Sequence, residues 1–142
     1  MHSPILAPVV ALVAWSLVVL IWMLLTRLPA LKAAGISISK IRGSKPGGLD
    51  GIVPDSTQWI AHNYNHLMEQ PTLFYALCLT LSVLGAGGGL NLQLAWAYVG
   101  LRVLHSLVQG TTNVIKYRLA LFLLSSLVLV ALTLHAALLV LH

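Results

Sequence analysis

Four long apolar segments follow one another along the chain, and their lengths predict membrane-spanning helices. They cover about residues 5–27, 57–84, 92–112 and 117–141. Each approaches or exceeds the roughly 20 residues that a helix needs to cross a bilayer. A polar stretch rich in Ser, Gly and Pro, at about residues 32–55, separates the first two segments and predicts a loop. The pattern therefore predicts an all-α membrane protein, a four-transmembrane-helix bundle built as a single domain of residues 1–142.

The second apolar segment carries polar side chains in its first half. His62, His66 and Glu69 stand at positions i, i+4 and i+7, so they share one helical face, with Asn65 beside them. Ionisable residues at bilayer depth are costly, and they usually face a bundle interior and mark a functional site. Pro71 follows this stripe directly and predicts an interruption of the helix, because proline lacks the backbone N–H.

The third apolar segment carries a second polar stripe. Tyr98, Arg102, His105 and Gln109 recur at i, i+4, i+7 and i+11, which again places them on one helical face. Arg118 follows at the start of the fourth segment. Two helices that each present a polar face predict a polar cleft between them, with Tyr98 as a packing or interfacial residue.

Glu69 and Arg102 lie at similar distances from the same end of their antiparallel helices, at about 1.5 Å per residue. Their opposite charges predict an ion pair that satisfies both groups away from water. An anionic ligand is favoured, because Arg27, Arg102 and Arg118 outnumber Glu69. The alternative is a purely structural role, in which the pair clamps the two helices and the histidines are satisfied interhelical donors.

Composition supports the membrane assignment, since 58% of the residues are hydrophobic and only 8% are charged, against about 25% charged in soluble domains. The basic residues that flank or fill the first and third loops are Arg27, Lys32, Lys40, Arg42, Lys45, Lys116 and Arg118. The positive-inside rule then places both loops in the cytoplasm and both termini on the other side. The net charge of +5 is explained by topology, so the lipid bilayer is the expected partner and nucleic acid is not.

A metal site is the other chemistry to weigh. His62, His66, Glu69 and His105 include ligand types that suit zinc, copper or iron. There is no second carboxylate nearby, and the remaining histidines of the fourth segment are remote. We therefore expect no metal. The single cysteine, Cys78, lies in an apolar stretch and is expected to pack as a small hydrophobe.

These motifs resemble the MAPEG family, the membrane-associated proteins of eicosanoid and glutathione metabolism, and most closely its bacterial branch. The family pattern Asn-x-x-Glu followed by Pro is matched by His66-Leu67-Met68-Glu69-Gln70-Pro71. A second pattern is matched by Arg102-Val103-Leu104-His105, with Arg118 sixteen residues after Arg102. The order of helices and the long basic first loop extend the resemblance over most of the chain.

The resemblance implies a homotrimer that binds glutathione between neighbouring subunits at the cytoplasmic side. It implies a glutathione transferase or peroxidase, in the bacterial inner membrane, that acts on lipophilic electrophiles or lipid hydroperoxides. Arg118 would stabilise the thiolate as the catalytic residue, and Glu69 would contact the amino end of the peptide. The implied glutathione-binding set is Arg27, His62, Asn65, His66, Glu69, Arg102, His105 and Gln109.

Several positions differ from the family enzymes. His66 replaces the asparagine of the motif, and Gln109 and Phe122 stand where the family has tyrosines. Arginines that usually precede the motif are absent, with His62 and Asn65 in that neighbourhood. These differences favour the alternative function, a non-enzymatic accessory or scaffold subunit of a larger membrane complex. A binding protein for quinone, haem or another lipid-like cofactor is a third hypothesis.

Overall fold

The computed structural model describes residues 2–43, 45 and 47–142, and this part of the chain is all-helical. Ser44 and Pro46 of the predicted first loop lie outside the described residues. The helices are α1 (Leu6–Ala33), α2 (Asp55–Glu69), α3 (Pro71–Val83), α4 (Gly89–Gly110) and α5 (Ile115–Leu141). Only Gln70 separates α2 from α3, so the five helices form four consecutive rods. The prediction of an all-α architecture is confirmed.

The predicted interruption at Pro71 is found where expected. Gln70 keeps helical dihedral angles, with φ −58° and ψ −38°, and Pro71 occupies the first turn of α3. Because proline has no N–H, the carbonyl of Leu67 loses its usual helical partner. The second rod therefore continues in nearly the same direction, but it lacks one backbone hydrogen bond where its polar half, α2, joins its apolar half, α3.

Other helix ends differ from the predicted bounds. The first helix continues past Arg27 and through Pro29 to Ala33, because proline is tolerated there within the helix and no turn signal precedes Gly35. The second begins at Asp55, with Pro54 as N-cap and no side-chain cap, so the capping role that its sequence predicts for Asp55 or Ser56 is wrong. The third begins at Gly89, three residues before its predicted start.

Two of the described helices, α1 and α5, are long and apolar enough to cross a membrane. Only 17% and 22% of their most apolar windows are buried within the protomer, whereas a core helix of a soluble protein is mostly buried. Their exposed leucines and valines therefore need lipid or a neighbouring subunit. Membrane crossing by the other two rods remains a prediction, since α2 and α4 carry the polar stripes.

The core lies along the centre of the bundle. On α1, Leu12, Ser16 and Val19 are buried at i, i+4 and i+7, which gives this apolar helix a narrow inward face. Phe74 from α3 and Leu132 from α5 are fully buried in the same core. Packing of these side chains fixes the positions of the helices that carry the polar residues.

Gly110 allows a close approach between α4 and α1. A Cβ atom at this position would lie 2.5 Å from Cη2 and 2.7 Å from Cζ3 of Trp22. Such distances are far below a van der Waals contact, so the Trp22 ring occupies the space that any side chain would need.

We predict that Gly110→Ala destabilises the protein by about 1–3 kcal/mol, the usual cost of overpacking a fitted contact. Gly100→Ala is the matched control, because Gly100 is also on α4 but has nothing within 4 Å of its Cβ position. That change should be neutral or stabilise by roughly 0.5–1 kcal/mol through helix propensity. Thermal unfolding in detergent, followed by circular dichroism, compares the two variants, and equal melting temperatures would contradict the close packing.

Candidate functional site

The predicted site residues lie in three neighbouring groups rather than in one open cleft. A cavity under the first loop, here called the loop cavity, is lined by Arg27, His62 and Asn65 among others. A second group, the histidine cluster, lies where α2, α4 and α5 meet. A third pair is buried between α2 and α4. The histidine cluster consists of His66, Glu69, His105 and Arg118, and the buried pair consists of Arg102 and Gln109.

The histidine cluster brings together ionisable groups from three helices. Nδ1 of His66 lies 3.3 Å from Oε2 of Glu69, one helical turn away. The rings of His66 and His105 meet edge to face, with centroids 6.0 Å apart, and the His105 ring lies 6.5 Å from that of Phe122 on α5. The Glu69 side chain is 65% exposed. The cluster is therefore open on the Glu69 side and closed on the His105 side.

Arg118 is held by the turn between α4 and α5. Its Nη1 donates to Oδ1 of Asn113 at 2.7 Å, while its Nε is buried without a hydrogen-bond partner among the described residues. Asn113 adopts a left-handed backbone conformation with φ 51°, and its N–H donates to the carbonyl of Val108. Asparagine tolerates this conformation better than most residues. The sequence reasoning did not include Asn113, although an asparagine between two helices is a recognisable signal.

The predicted ion pair between Glu69 and Arg102 is not formed, and this prediction is wrong. Nη2 of Arg102 instead donates to the backbone carbonyl of His66 at 3.0 Å. That carbonyl belongs to the last turn of α2, where the helix dipole makes a cation favourable. The Arg102 side chain is only 1% exposed, and its Nε and Nη1 have no partner within the described part of the chain.

Gln109 lies deeper in the same interface than the cleft prediction implied. It is fully buried between the helices, and its Oε1 has no partner among residues 2–43, 45 and 47–142. Next to it, Nδ2 of Asn63 donates to the backbone carbonyl of Ser106 at 3.0 Å. Asn63 was missed because it lies off the His62–His66 face, but its hydrogen bond joins α2 to α4 directly, as that of Arg102 does.

Gln70 is a further polar residue that the sequence reasoning missed. The Tyr98 hydroxyl donates to Oε1 of Gln70 at 3.2 Å, and Nε2 of Gln70 donates to Oγ of Ser126 at 2.8 Å. Tyr98 also stacks on Phe74 with centroids 4.5 Å apart. One side chain at the interruption of the second rod thus connects it to both α4 and α5. The packing role expected for Tyr98 agrees with its full burial.

The loop cavity has a volume of about 940 Å³, which lies within the range of small-molecule sites. It is bounded by the last turns of α1, the first turns of α2 and the first loop. Nε2 of Gln58 donates to Oδ1 of Asp50 at 3.2 Å, and this bond holds the loop against α2. His62 and Asn65 therefore face the loop, while His66 lies beside His105 of α4.

No group of three or more metal-ligating side chains occurs among the residues that the structure describes. Cys78 is fully buried in the apolar core. The chemistry that the site offers is therefore that of one positioned guanidinium, two imidazoles and one exposed carboxylate. This set suits a ligand that carries both negative groups and an ammonium group.

We predict that Gln70→Leu destabilises the protein by about 1–3 kcal/mol, because the buried Tyr98 hydroxyl is left without an acceptor. Tyr98→Phe removes that hydroxyl and should cost less. In the double variant the two losses should be clearly less than additive, since no donor is left unpaired. Unfolding by SDS titration in mixed micelles measures all three variants, and strict additivity would show that the Gln70–Tyr98 bond contributes nothing.

A comparison with protein families identifies the family of the chain. The model of the MAPEG family matches residues 5–138, which is nearly the whole chain. No curated protein and no solved structure matches the chain. The resemblance seen in the second and third apolar segments is thus confirmed over all four rods, and with it the assignment to a family of membrane proteins. The chain belongs to the MAPEG family.

Proposed function

We propose that this protein is a membrane glutathione transferase or peroxidase, with glutathione as co-substrate and a lipophilic electrophile or lipid hydroperoxide as second substrate. The observation that carries the proposal is the histidine cluster. There Arg118 is fixed by Asn113, two imidazoles lie edge to face, and the carboxylate of Glu69 is exposed.

The side chains around the cluster fit the charges of glutathione. The exposed carboxylate of Glu69 is suited to the peptide's ammonium group, and the partnerless Nε of Arg118 is suited to an anion. Arg27 in the loop cavity supplies a second cation for a carboxylate. Arg102 is too deeply buried to contact a ligand directly, so we assign it a positioning role through the carbonyl of His66.

Arg118 would act on the thiol. A fixed cation lowers a thiol pKa and increases the thiolate population, and His105 or His66 is placed to accept the proton. In conjugation, the sulfur forms a bond to an electrophilic carbon, and the electron pair of the broken bond leaves with the departing group. In peroxide reduction, two glutathione thiols are oxidised to a disulfide while the O–O bond is cleaved to an alcohol and water.

A homotrimer is part of the proposal. His62, Asn65 and Glu69 are exposed on the surface of α2, the first half of a rod that the sequence predicts to cross the bilayer, where lipid tails provide no hydrogen-bond partners. A second copy packed against this face would cover these groups and complete the ligand site. We place the protein in a bacterial inner membrane with both termini outside, so the first and third loops and the ligand entrance face the cytoplasm.

We predict that Arg118→Ala reduces thiol-dependent turnover at least tenfold, because a single electrostatic stabiliser contributes about 10²–10³ in comparable sites. Lys116→Ala is the matched control, since Lys116 is exposed two residues earlier on the same helix. Glutathione binding is measured by calorimetry on both detergent-purified variants, together with turnover of a lipophilic electrophile. Unchanged turnover in Arg118→Ala, with an intact oligomer, would contradict the proposal.

Asn113 allows a second, sharper test. Asn113→Gly keeps the left-handed backbone accessible but removes Oδ1, whereas Asn113→Ala removes Oδ1 and also strains the backbone. If Asn113 positions Arg118, both variants should lose turnover by a similar factor, and only Asn113→Ala should also lower the melting temperature. Turnover that follows the melting temperature instead would assign Asn113 to stability alone.

The alternative is a non-enzymatic accessory or scaffold subunit of a larger membrane complex. The burial of Arg102 as a cap of α2 favours this function, because it turns a site residue into a structural one. The alternative predicts a folded oligomer that binds no glutathione and co-purifies with a defined partner. Glutathione binding that depends on Arg118 would exclude it.

A further inference from the structure

The loop cavity contains more positive charge than the proposed glutathione site uses. Arg27, Arg42 and Lys45 line it, and no Asp or Glu does. Within the described residues none of the three cations lies within 4.0 Å of a carboxylate oxygen, and the contact of that length found there joins His66 to Glu69, which is an ion pair when the imidazole is protonated. Three like charges around one cavity repel each other, and an anion placed between them would relieve that repulsion.

The cavity wall also has an apolar part, beside the polar side chains that α2 contributes. Ile36, Ile41, Leu49 and Ile52 line it beside the cations. Ile41 is 53% exposed and Ile52 is 51% exposed, although both lie in a loop that is otherwise basic and glycine-rich. Exposed isoleucines beside positive charges are costly in water but favourable at a membrane surface, where acyl chains and anionic head groups adjoin.

The position of the cavity fits such a surface. Arg27 is the first charged residue of α1, near the end of that candidate span, so we expect it close to the level where the span leaves the hydrocarbon layer. Snorkelling arginines at this level usually contact lipid phosphates. Gln58, near the start of α2, holds the loop against the cavity through Asp50, and Arg42 and Lys45 of that loop line the cavity.

We propose that the loop cavity binds the phosphate of an anionic phospholipid, with Arg42 and Lys45 on the phosphate oxygens and Ile41 and Ile52 against the first part of an acyl chain, which leaves Arg27 to the proposed glutathione set. This inference does not depend on the proposed function, because Arg42 and Lys45 are outside the proposed glutathione set. A free phosphate ion has the same charged oxygens as a lipid head group. The isoleucines in the cavity wall favour the lipid, because only a lipid has an acyl chain to place against them.

Native mass spectrometry of the detergent-purified full chain tests this, with phosphatidylglycerol as the anionic probe and phosphatidylcholine as the zwitterionic one. Wild type should retain phosphatidylglycerol selectively. Arg42→Ala/Lys45→Ala should weaken that binding about tenfold or more, as expected for two lost charges near a phosphate. Lys32→Ala/Lys40→Ala is the matched control, because it removes the same charge from exposed residues that do not line the cavity.

A charge-preserving variant, Arg42→Lys/Lys45→Arg, should keep the selectivity, which separates lost binding from a damaged loop. Equal retention of the two lipids, or equal weakening by the control variant, would overturn the proposal.

Inorganic phosphate is the remaining probe. If inorganic phosphate displaces phosphatidylglycerol at the same concentration at which phosphate binds to the lipid-free protein, the acyl chain contributes nothing and the lipid assignment is wrong. Calorimetry of Arg42→Ala/Lys45→Ala with glutathione should show unchanged affinity, so loss of either site is detected separately.

Discussion

The hydrogen bond from Arg102 to the carbonyl of His66 is the interaction on which the arrangement of the polar residues depends. A guanidinium that is 1% exposed in an apolar bundle has a large desolvation cost unless it finds acceptors. The carbonyl of His66, in the last turn of α2, supplies one. Together with the hydrogen bond from Asn63 to the carbonyl of Ser106, it fixes how α2 lies against α4.

This contact also determines which groups are left for a ligand. With Arg102 bonded to the backbone, the carboxylate of Glu69 is not neutralised by it and remains 65% exposed beside His66. The cation available to a ligand is then Arg118, on another helix and held from a separate turn by Asn113. A bundle that had formed the Glu69–Arg102 pair would have neutralised both charges and would present no exposed acid next to the histidines.

The helices and the polar faces could be predicted from the sequence because they depend on periodicity. His66 and Glu69 were expected one turn apart on one face, and they lie 3.3 Å apart. The partner of Arg102 could not be predicted, because counting residues gives the depth of a side chain but not its rotamer or the availability of a backbone carbonyl. Asn113 was missed for a similar reason: its role comes from a left-handed backbone conformation, which no spacing rule encodes.

The division of the predicted cleft has a physical origin in helix geometry. Residues four apart on a helix differ by about 40° in direction, so Asn65 and His62 turn toward the loop while His66 turns toward α4. Gln58 then holds the loop over the first pair through Asp50. The His62–Glu69 stripe, which is one helical face in sequence, thus contributes to two compartments: a basic one under the first loop and one with an exposed carboxylate. The two compartments meet at α2, so any ligand that occupies both must pass along the exposed edge formed by Asn65 and Glu69.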